Sequence, residues 1–167
     1  RWTGTIQPHT SSDNTVCITD MFATIADLLV SDVPPFAAED SASFLPALYG
    51  DPVPDARNGL IHASISGHFG YRSSHWKLLL ARGSGGWTAP KEVQAKKEKL
   101  PAFQLYDITA DPGELHNLES EHRDIAEQLF RFLETDIHRG RSTEGSSSAN
   151  DTDTIELWKS GKSVPAL

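Results

Sequence analysis

The sequence predicts an α+β fold: a four-stranded antiparallel sheet crossed by one long helix, with shorter helical turns ahead of it. Three observations carry this. Residues 60 to 65 alternate with period two, Leu60, His62 and Ser64 on one face and Ile61, Ala63 and Ile65 on the other. Phe69 to Arg72 and Trp76 to Ala81 are β-prone runs joined only by Ser73-Ser74-His75, the spacing of a hairpin, and Gln104 to Ile108 supplies a fourth strand. Ile125, Leu129, Phe132, Leu133 and Ile137 then recur at i, i+4, i+7, i+8 and i+12, behind Ser120 and ahead of Gly140, the signature of a helix with one buried face. Burying those five side chains gives a gross hydrophobic gain of roughly 8 to 15 kcal/mol before entropy is counted.

The remaining elements follow in chain order. Residues 1 to 17 read as a strand end and a loop rich in turn formers. Phe22, Ile25 and Leu29, spaced by three and four behind Thr19 or Asp20 as N-cap, predict a short amphipathic helix that Asp32-Val33-Pro34-Pro35 ends. Ser43 to Gly50 adds one or two helical turns with a glycine stop, and Asp51 to Asp55 turns the chain. Residues 82 to 103 form a long excursion with Gly83, Gly85 and Gly86, and Asp111-Pro112-Gly113 is a sharp turn. Beyond Arg141, polar and small residues dominate around a weak apolar patch at Ile155, Leu157 and Trp158, which predicts a surface tail. The expected organisation is therefore 1–55, 56–140 and 141–167.

Composition narrows the function. Fifteen Lys and Arg against 23 Asp and Glu leave a net charge of −8 over 167 residues, which disfavours nucleic acid and anionic membranes as partners. The lone Cys17 excludes an intrachain disulfide and a cysteine-based zinc site. No run approaches the roughly 18 apolar residues of a membrane span, and Arg1-Trp2-Thr3-Gly4 opens neither with an initiator Met nor as a signal peptide, so a further upstream part is expected.

Two stretches resemble a known family. Leu105 to Leu118, LYDITADPGELHNL, is similar to the "LYDL..DP.E..NL" segment near the C-terminus of sulfatases, sulfuric ester hydrolases of the alkaline-phosphatase-like superfamily. Residues 1 to 29 resemble that family's "RWPG.I.PG..SD..V...D..AT.ADLL", departing at Thr3, and shorter matches stand at 43–50, 75–80, 83–87 and 140–143. The resemblance implies that residues 1–55 are the C-terminal end of an alkaline-phosphatase-like α/β core, followed by the sheet and long helix. It implies a parent that hydrolyses sulfate esters of a carbohydrate or aryl sulfate, using a formylglycine made in a C/S-x-P-S-R motif and a divalent cation such as Ca²⁺. Neither has its motif here: Cys17 sits in TVCIT, and the expected catalytic and metal-ligating residues of this chain are none. The implied partners are a missing N-terminal catalytic domain and the sulfated substrate, with self-association of the isolated piece. The implied location is periplasmic, secreted or lysosomal.

Substrate contact is the expected role of the C-terminal subdomain. The candidates are His62, His68 and Arg72, as donors to an anionic substrate, and Trp87, which could stack on a sugar ring or cover the core. Each has a plainer reading as a strand-end or loop residue facing water. His62, His68 and His75 stand at intervals of six and seven, no usual zinc spacing, and Asp13-Asn14 reads as turn chemistry. Lys77 reads as a paired or snorkelling surface cation, Lys91 to Lys99 as a solvated segment, and Asn150-Asp151-Thr152 as a glycosylation sequon meaningful only in a secretory eukaryotic host. An autonomous carbohydrate-binding or interaction module, and a fragment of a related phosphatase or phosphonate hydrolase, are the alternatives.

Overall fold

The computed structural model describes residues 1–159, 161, 164, 165 and 167. The chain forms two compact units, Arg1–Asn58 with Asp136–Ala149, and Gly59–Thr135 with Asn150–Leu167.

In the first unit a 3-10 turn, Ile18–Asp20, leads into α1, Met21–Leu28, and a second short helix, α2, spans Leu45–Tyr49. Helix α2 ends on Gly50 at φ +87°, the left-handed stop its sequence predicts. The entry to α1 differs from a simple N-cap. Asp20 reaches back to the Cys17 amide at 2.8 Å, accepts from the Ala42 amide at 3.0 Å, and forms a bidentate pair with Arg57, each N···O distance 2.7 Å. Its backbone carbonyl accepts from Thr24 Oγ1 at 2.7 Å, and that hydroxyl accepts from the Phe44 amide at 3.1 Å. A carboxylate with this many directional partners is worth more as a crosslink between segments than as a local cap. The amphipathic face predicted for α1 is present but uncovered: Phe22, Ile25 and Leu29 are exposed, and Thr24 is the buried residue of the helix.

In the second unit β1 (Leu60–Ala63), β2 (Phe69–Ser73), β3 (Trp76–Leu79) and β4 (Gln104–Asp107) form an antiparallel meander in the order β1-β2-β3-β4. The expected hairpin is β2–β3, turning at Ser74-His75 with Ser73 opposite Trp76. The excursion after β3 contains a short helix, α3, Glu92–Lys97. Asn117 seals the outer edge of β4: its Oδ1 accepts from the Leu105 amide at 2.9 Å, its Nδ2 donates to the Phe103 carbonyl at 3.0 Å, and the Leu118 amide adds a bond to the Leu105 carbonyl at 2.8 Å. Asp107 and Asp111 accept from the amides of Thr109, Ala110, Leu115 and His116, so the most family-like stretch of sequence is spent on turn geometry. The long helix α4 spans Arg123–Arg139, with Ala126, Leu129 and Leu133 buried. Phe132 packs against Tyr71 and Phe130 against Phe103, at ring-centroid distances of 6.3 and 6.0 Å.

The tail departs from the surface path expected of it at one residue above all. Trp158 is buried, its ring 5.6 Å from that of Phe103 and under the Arg82 guanidinium at 6.0 Å. A large indole near a polar tail still gains more by covering an aromatic core than by remaining in water.

Candidate functional site

The sheet register sorts the second unit into two faces, because directly opposed residues of an antiparallel pair share a side. Ile61, Tyr71, Leu78 and Leu105 stand in one cross-strand row, on the face that α4 covers. The opposite face carries the rows Leu60, Arg72, Lys77, Tyr106 and His62, Gly70, Leu79, Gln104. Its polar residues form the candidate site.

His62 lies across Gly70, so closely that a Cβ there would collide with all of Cε1, Nε2 and Nδ1 of the ring. Glycine at position 70 is what allows the imidazole to lie flat on the neighbouring strand. Burial pushes the His62 pKa below its ordinary 6.5, and the cations Lys77 and Arg72 push it further down against the opposing pull of Glu114, so the ring is neutral at pH 7. Beside that neutral ring Arg72 places a cation whose buried Nε has no hydrogen-bond partner among the described residues. Lys77 is held by both carboxylate oxygens of Glu114, at 2.6 and 2.8 Å, which confirms it as a paired cation. Tyr106 donates to Gln104 Oε1, while the Gln104 amide donates to the Ala81 and Gly83 carbonyls at 2.6 and 2.7 Å. Burial, then the charges of Glu114 and Asp111, raise the Tyr106 pKa, so its hydroxyl stays protonated. The face therefore carries a neutral imidazole, a guanidinium and a phenol whose proton is committed to Gln104, a set that combines a cation with hydrogen-bonding groups.

The other two candidates lie elsewhere. His68 is buried, with its Nδ1 3.1 Å from the Leu80 carbonyl; since a carbonyl only accepts, that nitrogen carries the proton. Its amide and carbonyl close the β1–β2 loop on Ser64. Trp87 is exposed on the glycine-rich loop before α3. His75 packs at a tilt against Trp76 instead, ring centroids 5.0 Å apart, so the three histidines do not converge. Among the described residues no group of three or more His, Cys, Asp or Glu side chains is placed to hold a metal ion. The Ca²⁺ and formylglycine that the resemblance implies thus find no fitting ligand set here, and no chemical step is assigned to them. No described helix is long and apolar enough to cross a membrane. Sequence reasoning missed Gly70, Glu114, Gln104 and Tyr106 as members of the site. Period-two alternation in QLYD carries the signal for the last two, but only once the register of β3 and β4 is known.

A meander covered by one helix, with a polar outer face, is the architecture of a sulfatase C-terminal region, and the comparisons bear out the sulfatase resemblance. The chain is similar to N-acetylgalactosamine-6-O-sulfatase of Bacteroides thetaiotaomicron, 26% identical over 135 residues that cover 81% of this chain and 26% of the relative. A solved Bacteroides thetaiotaomicron protein, described with the metabolism of multiple glycosaminoglycans, superposes with a TM-score of 0.55 at 26% identity, over 72% of this chain and 24% of the other. A phosphonate monoester hydrolase of Agrobacterium radiobacter reaches a TM-score of 0.43 at 18% identity, over 70% of this chain and 23% of the other. The chain thus spans about a quarter of the length of these relatives. No protein-family model matches it.

Proposed function

We propose that this chain is the C-terminal part of a sulfatase acting on sulfate esters of a carbohydrate or aryl sulfate, that it completes the enzyme's core and borders its substrate cleft, and that it has no turnover alone. One observation carries the reading: the sulfatase match takes in 81% of this chain but only 26% of the relative. The exposed apolar face of α1 supports it, since a surface of that kind belongs against another surface. The polar sheet face supplies the cleft border, with His62 and Arg72 as donors to hydroxyl or sulfate oxygens.

The test is a chimera in which this chain replaces the C-terminal quarter of the Bacteroides N-acetylgalactosamine-6-O-sulfatase, assayed for sulfate release with Ca²⁺. Turnover by the chimera, and none by this chain alone on an aryl sulfate, is the expected result. Sustained turnover by the isolated chain overturns the inactivity claim. A folded chimera whose KM is unchanged by Arg72→Ala or by Gly70→Ala, the latter displacing His62, removes the cleft-border role.

A further inference from the structure

We infer that the loop carrying Trp87, together with the lysines that follow it, is a docking platform for the polymeric part of an anionic polysaccharide, separate from the polar sheet face. The site rests on loop geometry; the ligand class rests on the sulfatase reading above. Trp87 is 83% exposed in a unit whose other tryptophans, Trp76 and Trp158, pack against rings. Its loop is nevertheless fixed. Ser84 Oγ donates to the Thr88 carbonyl at 2.7 Å, the Gly83 amide donates to Glu92 Oε1 at 2.8 Å, and the Ser84 amide donates to the Pro90 carbonyl at 2.9 Å. Lys91 Nζ then ties the carbonyls of Gly86 and Trp87 itself. Gly85, at φ +67°, packs the loop beside Ser64 and His68. A loop fixed by so many bonds has little backbone entropy left to lose when a flat partner stacks on the indole it carries.

The surroundings select the partner. Ile65, 69% exposed, adjoins Gly86 and extends the apolar surface, matching the C–H face of a pyranose ring. Lys96, Lys97 and Lys99 are exposed on and just after α3, and the segment from Lys91 to Lys99 has four lysines against two glutamates in a chain of net charge −8. Lys96 and Lys97 lie roughly 7.5 to 9 Å along the helix from Lys91, from the rise of about 1.5 Å per residue. An aromatic plate followed by spaced ammonium groups suits a chain of sugar rings bearing sulfate or carboxylate, and the acidic remainder of the molecule repels the same polymer.

The test is calorimetric titration of the 167-residue chain with a sulfated glycosaminoglycan hexasaccharide, its desulfated counterpart and poly-glutamate. The expected result is binding of the sulfated sugar alone, weakened about tenfold by Trp87→Ala, which is about 1.4 kcal/mol. Trp87→Phe should restore most of it, and Lys96→Gln/Lys97→Gln/Lys99→Gln should flatten the salt dependence. Equal binding of poly-glutamate, equal binding by Trp87→Ala, or a Trp87-dependent dimer in sedimentation each overturns the proposal. The chimera above reports separately: sulfate release from a monosaccharide that survives Trp87→Ala keeps the sulfatase reading whether or not the platform stands.

Discussion

In the second unit the buried apolar side chains run from Tyr71 and Leu78 through Phe103, Leu105, Leu129 and Leu133 to Trp158; in the first, the buried side chains are Asp20, Thr24, Asp136, Arg141, Ser142 and Thr143. Exposure is reversed as well. Ile18, Phe22, Ile25, Leu28, Leu29, Val30 and Phe36 of the first unit all face solvent, and an open cavity of about 550 Å³ lies among its prolines and alanines. The second unit buries its own apolar surface, which is the ordinary basis of stability. The first is tied by directional bonds from Asp20, Arg57 and Arg141 while its apolar groups wait for cover. On the function proposed above, that cover is the catalytic domain.

The comparison breaks most visibly at Asp20. Removing it leaves the Arg57 guanidinium, only 9% exposed, without its carboxylate, and an orphaned buried charge costs about 3 to 5 kcal/mol. Asp20→Ala should therefore accelerate amide exchange throughout the first unit in the intact chain. If exchange there is unchanged, the polar network is ornament.

Truncation in the two units should then give opposite results. Leu133→Ala removes a fully buried side chain and should cost about 2 to 5 kcal/mol. Phe22→Ser removes a side chain of similar hydrophobicity and should change stability by no more than about 0.5 kcal/mol, because Phe22 is 56% exposed. Thermal melts measure both, and light scattering should show less self-association for Phe22→Ser. A destabilisation of Phe22→Ser comparable to that of Leu133→Ala would mean that α1 already has its partner.

Acidification sharpens the contrast further. Burial opposes the charge on Asp20, but the bonds from Arg57 and from the Ala42 and Cys17 amides win, so its pKa falls below 3.8. The unfolded chain binds that proton first as pH drops, so the Asp20 contribution is full above about pH 3.8 and fades only below it. His62 also has a lowered pKa, and the unfolded chain takes up its proton from about pH 6.5 downward. The second unit should begin to lose stability as pH falls below about 6.5, where the Asp20 network is still intact. Residue-resolved exchange from pH 6.5 down to 3.8 checks the order; simultaneous loss in both units contradicts it.

Periodicity made the second unit legible: the strands, the hairpin and α4 all follow from spacing, because their apolar residues pack within the chain. The same reasoning located α1 and its apolar face, and that face is exposed; a pattern of hydrophobicity does not by itself say whose surface will cover it. His62 and Arg72 fall together on one sheet face because alternation fixes a face within a strand. His68 is separated from them because it lies in a loop, where no period applies, and its fate was decided by a single carbonyl, that of Leu80. The Asp20–Arg57 pair spans 37 residues, a separation at which local rules have no purchase.

The smallest expected effect tests how the first unit ends its helix. At the end of α1 the Ser31 amide bonds the Ala26 carbonyl and the Val30 amide the Asp27 carbonyl, a Schellman closure with Val30 in the left-handed position at φ +52°. The same closure ends α4, with Gly140 at φ +64° between bonds from Arg141 to Asp136 and from Gly140 to Ile137. Glycine fits there without penalty, whereas a β-branched side chain costs about 1 to 2 kcal/mol, offset in part by the extra backbone entropy that glycine loses on folding, about 0.5 to 1 kcal/mol. Val30→Gly should therefore stabilise the isolated chain by about 0.5 to 1 kcal/mol in a denaturant melt, and Val30 is 94% exposed, so no packing is forfeited. In the chimera the same change should lower thermal stability instead, because a strained valine facing outward is worth keeping only where another surface receives it. A gain in both settings would show that Val30 docks against nothing.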